Sequence, residues 1–115
     1  MLLSLLTKRY PGMRAWLTQR LTGLLMAIYS VVLLIRVLLL MPGSYEEWLA
    51  FSQPWWWRLA TFLFWLSLSS HAWLGVRDVL KDYVPNVKIR MVLLKLVVLS
   101  LWVYLVWITF LLCNL

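Results

Sequence analysis

One histidine, one cysteine and four carboxylates are all that 115 residues offer to metal, thiol and acid–base chemistry, and each shortage removes a class of protein. A lone thiol, Cys113, cannot close an internal disulfide, and no Cys/His spacing suggests a zinc or iron–sulfur site. Any electron carrier must therefore be held by something other than a cysteine cluster. Glycine and proline number four each against 64% hydrophobic residues. Such a chain is too apolar for a soluble domain of this length, and residues 1–115 read as a single membrane domain without room for a soluble catalytic one. The net charge of +7 is no nucleic-acid signal here. There is no solvated basic face, and in so apolar a chain basic residues at helix ends set orientation and meet anionic lipid.

Charge is most conspicuously missing between Leu59 and Val76, where 18 residues carry no Lys, Arg, Asp or Glu. That is close to the length a bilayer-spanning helix needs, and it contains the only histidine, His71. At about 100° per residue, Ser67, His71, Gly75, Asp78 and Asp82 share one face, while Leu, Phe, Trp and Val fill most of the rest. Gly75, one turn from His71, leaves space beside the imidazole. Such space suits a flat ring bound axially, such as haem, and equally a closely packed helix.

In chain order, Met1 to Gln19 reads as a short basic interfacial lead-in held by Trp16, with Lys8, Arg9 and Arg14 broken by Pro11-Gly12. MLLSLL is too short for a signal-peptide core and precedes the charges, so no cleaved export signal is expected. A first span is expected from about Arg20 to Met41, ended by Pro42-Gly43, with Gly23, Ala27 and Ser30 as a small-residue face for another helix. Arg36 is expected to snorkel along its own stem to the nearer interface. Ser44 to Trp56 reads as a loop ending in an aromatic belt, Trp55-Trp56-Trp57. A second span is expected at about 58–80. After a break at Val84-Pro85-Asn86 comes a third at about 91–112, assigned to packing and lipid contact. The fold class is an all-α membrane protein with three transmembrane helices. Four Lys/Arg lie in the segment through Arg20 and five between Arg77 and Lys95. The positive-inside rule then predicts a cytoplasmic N-terminus and an external C-terminus.

Asp82 follows His71 by 11 residues, about 16 Å along a helix. The imidazole is thus expected near mid-depth of a hydrocarbon layer of roughly 30 Å, and Asp82 and Tyr83 at its inner edge. A neutral imidazole is a good axial haem ligand, and the second ligand would have to come from another subunit. A histidine hydrogen-bonded to Ser67 or to a neighbour's carbonyl is the other reading. Tyr83 can donate to a quinone carbonyl with Asp82 delivering protons. Alternatively, Tyr83 is an interface aromatic and Asp82 pairs with Lys81, Arg77 or Lys88.

The segment SSHAWLGVRDVLKDYV, three spans, an arginine opening the first (QRLTG) and a basic lead into the third resemble the hydrophobic membrane-anchor subunits of bacterial succinate dehydrogenase, the cytochrome b556 type. The likeness covers residues 15 to 110. It implies a second three-helix cytochrome b anchor subunit sharing one haem b, with His71 as this chain's axial ligand and Arg20 near the haem propionates. It also implies a ubiquinone pocket to which Tyr83 and Asp82 contribute, facing an iron–sulfur subunit. A flavoprotein would carry FAD, and the location would be the bacterial inner (cytoplasmic) membrane. This chain would be part of an enzyme without catalysing anything alone. A fumarate reductase anchor is the nearest rival. From another class, the alternative is a small haem-free membrane scaffold or transporter subunit with a structural histidine.

Overall fold

The computed structural model describes residues 1–115, with the side chains of all but Leu3, Leu6 and Thr7. Five helices follow one another: α1 (Leu2–Arg9), α2 (Met13–Leu40), α3 (Tyr45–Ser52), α4 (Trp55–Tyr83) and α5 (Val87–Cys113). Three of them, α2, α4 and α5, have 28, 29 and 27 residues and are long and apolar enough to cross a membrane. At 1.5 Å per residue each reaches about 40 Å, the thickness of a bilayer with its headgroup layers.

The breaks follow from local chemistry. Gly12 adopts φ 89°, which is strained for any residue with a Cβ, and α2 starts immediately after it. No Pro or Gly lies between Met13 and Gln19, so the helix runs two turns further back than the expected start at Arg20. Met41 closes α2 in a left-handed conformation, donating its N–H to the Val37 carbonyl at 2.8 Å before Pro42. Val84 is extended because the pyrrolidine of Pro85 forbids helix there. Asn86 then caps α5, its side-chain oxygen accepting from the Lys88 and Ile89 N–H groups at 3.0 and 3.2 Å. The expected loop from Ser44 to Trp56 instead contains α3. Ser44 and Glu47 form a capping box, with the Ser44 hydroxyl accepting from the Glu47 N–H and the Glu47 carboxylate accepting from the Ser44 N–H.

Helix α4 packs against both α2 and α5 and is the middle of a slab of 49 × 35 × 22 Å. Thr22 meets His71 and, further along, Tyr29 meets Thr61, so α2 and α4 are antiparallel. Arg58, at the start of α4, donates to the Leu112 carbonyl at the far end of α5. This places a cation on a helix C-terminus and makes the second hairpin antiparallel too.

Among the described residues, the buried hydrophobic side chains lie at the end where α3 turns across the slab. Phe51 and Trp57 are 5% and 4% exposed. Tyr29 stacks between Trp57 and Phe64, with centroids at 4.9 and 4.5 Å. Arg36 extends toward α3 and the Trp55–Trp57 belt. Its guanidinium lies 4.0, 4.3 and 4.7 Å from the ring centroids of Phe51, Trp57 and Trp56 and donates to the Phe51 carbonyl at 3.1 Å. Three electron-rich rings and a carbonyl satisfy a cation more locally than a stretched stem would. Of the small-residue face, Gly23 meets α4 while Ala27 and Ser30 are exposed.

Candidate functional site

At the opposite, basic end α2 and α4 enclose a cleft of about 710 Å³ whose lining includes Gln19, Arg20, Gly23, His71, Arg77 and Asp78. His71 stands on the fifth turn of α4, and the residue that meets its ring is one the sequence did not single out. Thr22, buried on α2, places Oγ1 3.1 Å from His71 Nδ1. The same hydroxyl lies 2.7 Å from the Thr18 carbonyl and 3.2 Å from that of Gln19. A hydroxyl has one proton, and the carbonyl at 2.7 Å takes it, so toward the imidazole Thr22 Oγ1 is an acceptor. In a neutral imidazole this arrangement puts the ring proton on Nδ1 and leaves Nε2 with its lone pair. Ser67, one turn away on α4, is buried but makes no bond to the ring.

The space beside the imidazole comes from Gly23, not Gly75. A Cβ on Gly23 would lie 3.6 Å from His71 Cε1, whereas one on Gly75 would meet the Gln19 amide nitrogen at 3.6 Å. Pattern alone could not make that distinction, since the small-residue face of α2 was legible but its partner was not. Gln19 Oε1 is buried in this wall and has no hydrogen-bond partner among the described residues. Buried polar atoms are satisfied in the great majority of cases, so the cleft is chemically incomplete within this chain.

Of the residues singled out from sequence, His71 and Arg20 line one cleft. Arg20 also lies over Trp16, 5.6 Å from the ring centroid. Asp82 and Tyr83 do not line it. They occupy the last turn of α4, exposed, and Tyr83 is 79% accessible. Among the described residues neither has a hydrogen bond or ion pair. Arg77, considered as a partner for Asp82, pairs instead with its neighbour Asp78 at 3.3 Å.

Residues 3–110 match the family described as succinate dehydrogenase/fumarate reductase transmembrane subunit. The chain belongs to this family. It is also 40% identical, over 96 residues and 84% of each chain, to the succinate dehydrogenase hydrophobic membrane anchor subunit of Coxiella burnetii (strain RSA 493 / Nine Mile phase I). Family membership accounts for three long apolar helices with little buried core. An anchor's helices keep faces for other subunits and for lipid, and here only Phe51 and Trp57 among the described hydrophobic residues are buried.

Proposed function

We propose that this chain anchors a succinate-oxidising flavoprotein and its iron–sulfur partner to a bacterial inner membrane and completes a site where ubiquinone is reduced. In this reading the N-terminus and the α4–α5 turn face the cytoplasm and the C-terminus lies outside, as the basic residues at one end of the slab favour. His71 provides one axial ligand to a haem b, and a second three-helix subunit provides the other.

The observation that supports the haem assignment is the contact of Thr22 Oγ1 with His71 Nδ1, which leaves Nε2 as the ring nitrogen open to the cleft. The Nδ1–H is committed to Thr22, and a neutral Nε2 is the donor that haem iron takes. The rest of the cleft fits the group. Gly23 leaves the imidazole edge clear, and Arg20 offers positive charge to propionates at the basic end. Bound haem would supply a one-electron centre close to the quinone site. Thr22 fixes the ring's rotation, and Gly23 sets how closely α2 approaches it.

Tyr83 follows His71 by 12 residues, about 18 Å along α4, and its exposure leaves the phenol free to donate to a quinone carbonyl once partner subunits close over it. Asp82, beside it and unpaired, is placed to pass protons from the aqueous side. The deciding experiment is a dithionite-reduced minus oxidised spectrum of the assembly purified through a tag on this chain. Sharp low-spin b-type bands with flavin and iron–sulfur subunits present support the reading. An intact complex without such bands would return His71 to a structural role.

A further inference from the structure

Helix α4 has a second functional face. Phe62, Leu66, Ser69, Ser70, Trp73 and Arg77 recur at three- and four-residue steps about half a turn away from His71. Four hollows open along this face, and residues they share join them into one trough. At the basic end a notch of about 250 Å³ is lined by Arg77, Lys81, Arg90 and Leu94. Arg77 also belongs to a cleft of about 510 Å³ with Arg14, Thr18, Ser70 and Trp73. Ser70 and Trp73 continue into a hollow of about 400 Å³ against Leu101, Trp102 and Leu105 of α5. Trp102 and Leu105 in turn border a fourth of about 420 Å³, walled by Phe62, Leu66 and Phe110. From Arg77 to Phe62 this is about 22 Å of helix.

The chemistry changes along the trough in one direction. Its basic end holds four cations and, among the described lining residues, no carboxylate. Arg77 shares part of its charge with Asp78 outside the trough, and Arg90 gives one N–H to the Val84 carbonyl at 3.4 Å. Lys81 has no ion pair among the described residues. Below the cations come the hydroxyls of Thr18, Ser69 and Ser70, then aromatic and aliphatic side chains with Thr109 among them. We propose that this trough binds one anionic phospholipid from the leaflet at the basic end. Its phosphate sits among Arg77, Lys81 and Arg90, its ester region beside Ser70, and one acyl chain lies between Trp73 and the Leu101–Leu105 stretch of α5. A soluble partner could use the cations but has nothing to fill the apolar hollows beneath them. A phospholipid matches both ends and the length.

The test uses the assembly isolated through a tag on this chain, stripped of native lipid and titrated in micelles with dioleoyl-phosphatidylglycerol or dioleoyl-phosphatidylcholine, with adducts counted by native mass spectrometry. Phosphatidylglycerol should bind in preference to phosphatidylcholine, and Lys81→Gln with Arg90→Gln should weaken it about thirty-fold. Neither residue lines the His71 cleft. Leu101→Trp, which fills the apolar hollow and leaves every charge in place, should also remove the adduct, and it decides the matter if the double variant does not assemble. Equal binding of the two lipids, or adducts that survive Leu101→Trp, would overturn the proposal. Loss of the soluble subunits from the double variant with lipid adducts intact would assign the cations to a protein partner instead.

Discussion

Replacing Thr22 with Val keeps the side chain's shape and burial and removes the one atom that receives the His71 Nδ1–H. The ring proton, 3.1 Å from its acceptor in the native chain, is then left without a partner in a place where water is scarce. Leaving a buried donor unmade costs about 1–3 kcal/mol. The ring can avoid that cost by rotating or by moving its proton to Nε2, and either change takes the free lone pair away from the cleft. The penalty converts to a factor of about 5 to 150 in the population of the ligating arrangement, since about 1.4 kcal/mol is tenfold. Losses of 10–100-fold are typical when the partner of a metal-bound histidine is removed. Two independent routes thus give the same size of effect.

The assay is haem per flavin in the complex purified through this chain, together with the midpoint potential of whatever haem remains. Thr22→Val should lower occupancy under limiting haem and shift the potential upward, because an imidazole without the acceptor on Nδ1–H is a less basic ligand, while subunit stoichiometry stays native. Thr22→Ser restores the acceptor and should restore both. A Thr22→Val complex with native occupancy and potential would refute the assignment of the tautomer to Thr22.

Gly23→Ala adds a methyl group 3.6 Å from His71 Cε1, an ordinary contact, so it should leave assembly and spectrum intact; Gly23→Leu should abolish the b-type bands in an assembled complex. Arg36→Leu removes a cation from among three rings and a charged hydrogen bond to the Phe51 carbonyl, a loss of about 2–4 kcal/mol; limited proteolysis within α3 should accelerate without a change in the haem spectrum. Tyr83→Phe should depress quinone reduction while succinate oxidation by an artificial dye continues, and equal losses in both would remove Tyr83 from the quinone site.

The three spans were legible because hydrocarbon imposes length and composition together, and no other structure satisfies the backbone of such a run. Their ends were less so. Residues Met13 to Gln19 join α2 because nothing there interrupts a helix, although their charges read as interfacial. The sequence S-Y-E-E at Ser44 to Glu47 already carried the capping signature of α3, and the aromatic belt beside it drew attention away. His71 stood out as the only imidazole in the chain. Thr22 did not, since a threonine in a membrane helix most often bonds its own preceding carbonyl. This one does so too, and that bond to Thr18 turns its lone pair toward His71. The partners of Arg36 were not legible for a related reason. Periodicity reports which residues share a face, but the rings that hold this guanidinium come from α3 and from the turn into α4, elements a helical wheel of α2 cannot contain.

These placements divide the chain's labour between its two ends. At the α3 end the buried rings of Phe51 and Trp57 pack around Arg36 and tie three helices together. At the basic end the helices diverge around clefts, a buried acceptor of Gln19 stays unmatched, and Tyr83 and Asp82 stand exposed. A chain that closed its own basic end would have no room for a shared cofactor or a neighbouring subunit. One that left both ends open would have little holding its helices in register. Substitutions at the α3 end should therefore lower thermal stability and spare spectra and quinone kinetics, and those around Thr22 and His71 should do the reverse. A variant near His71 that melts the whole anchor, or one at Arg36 that shifts the haem potential, would show that the two ends are not separable.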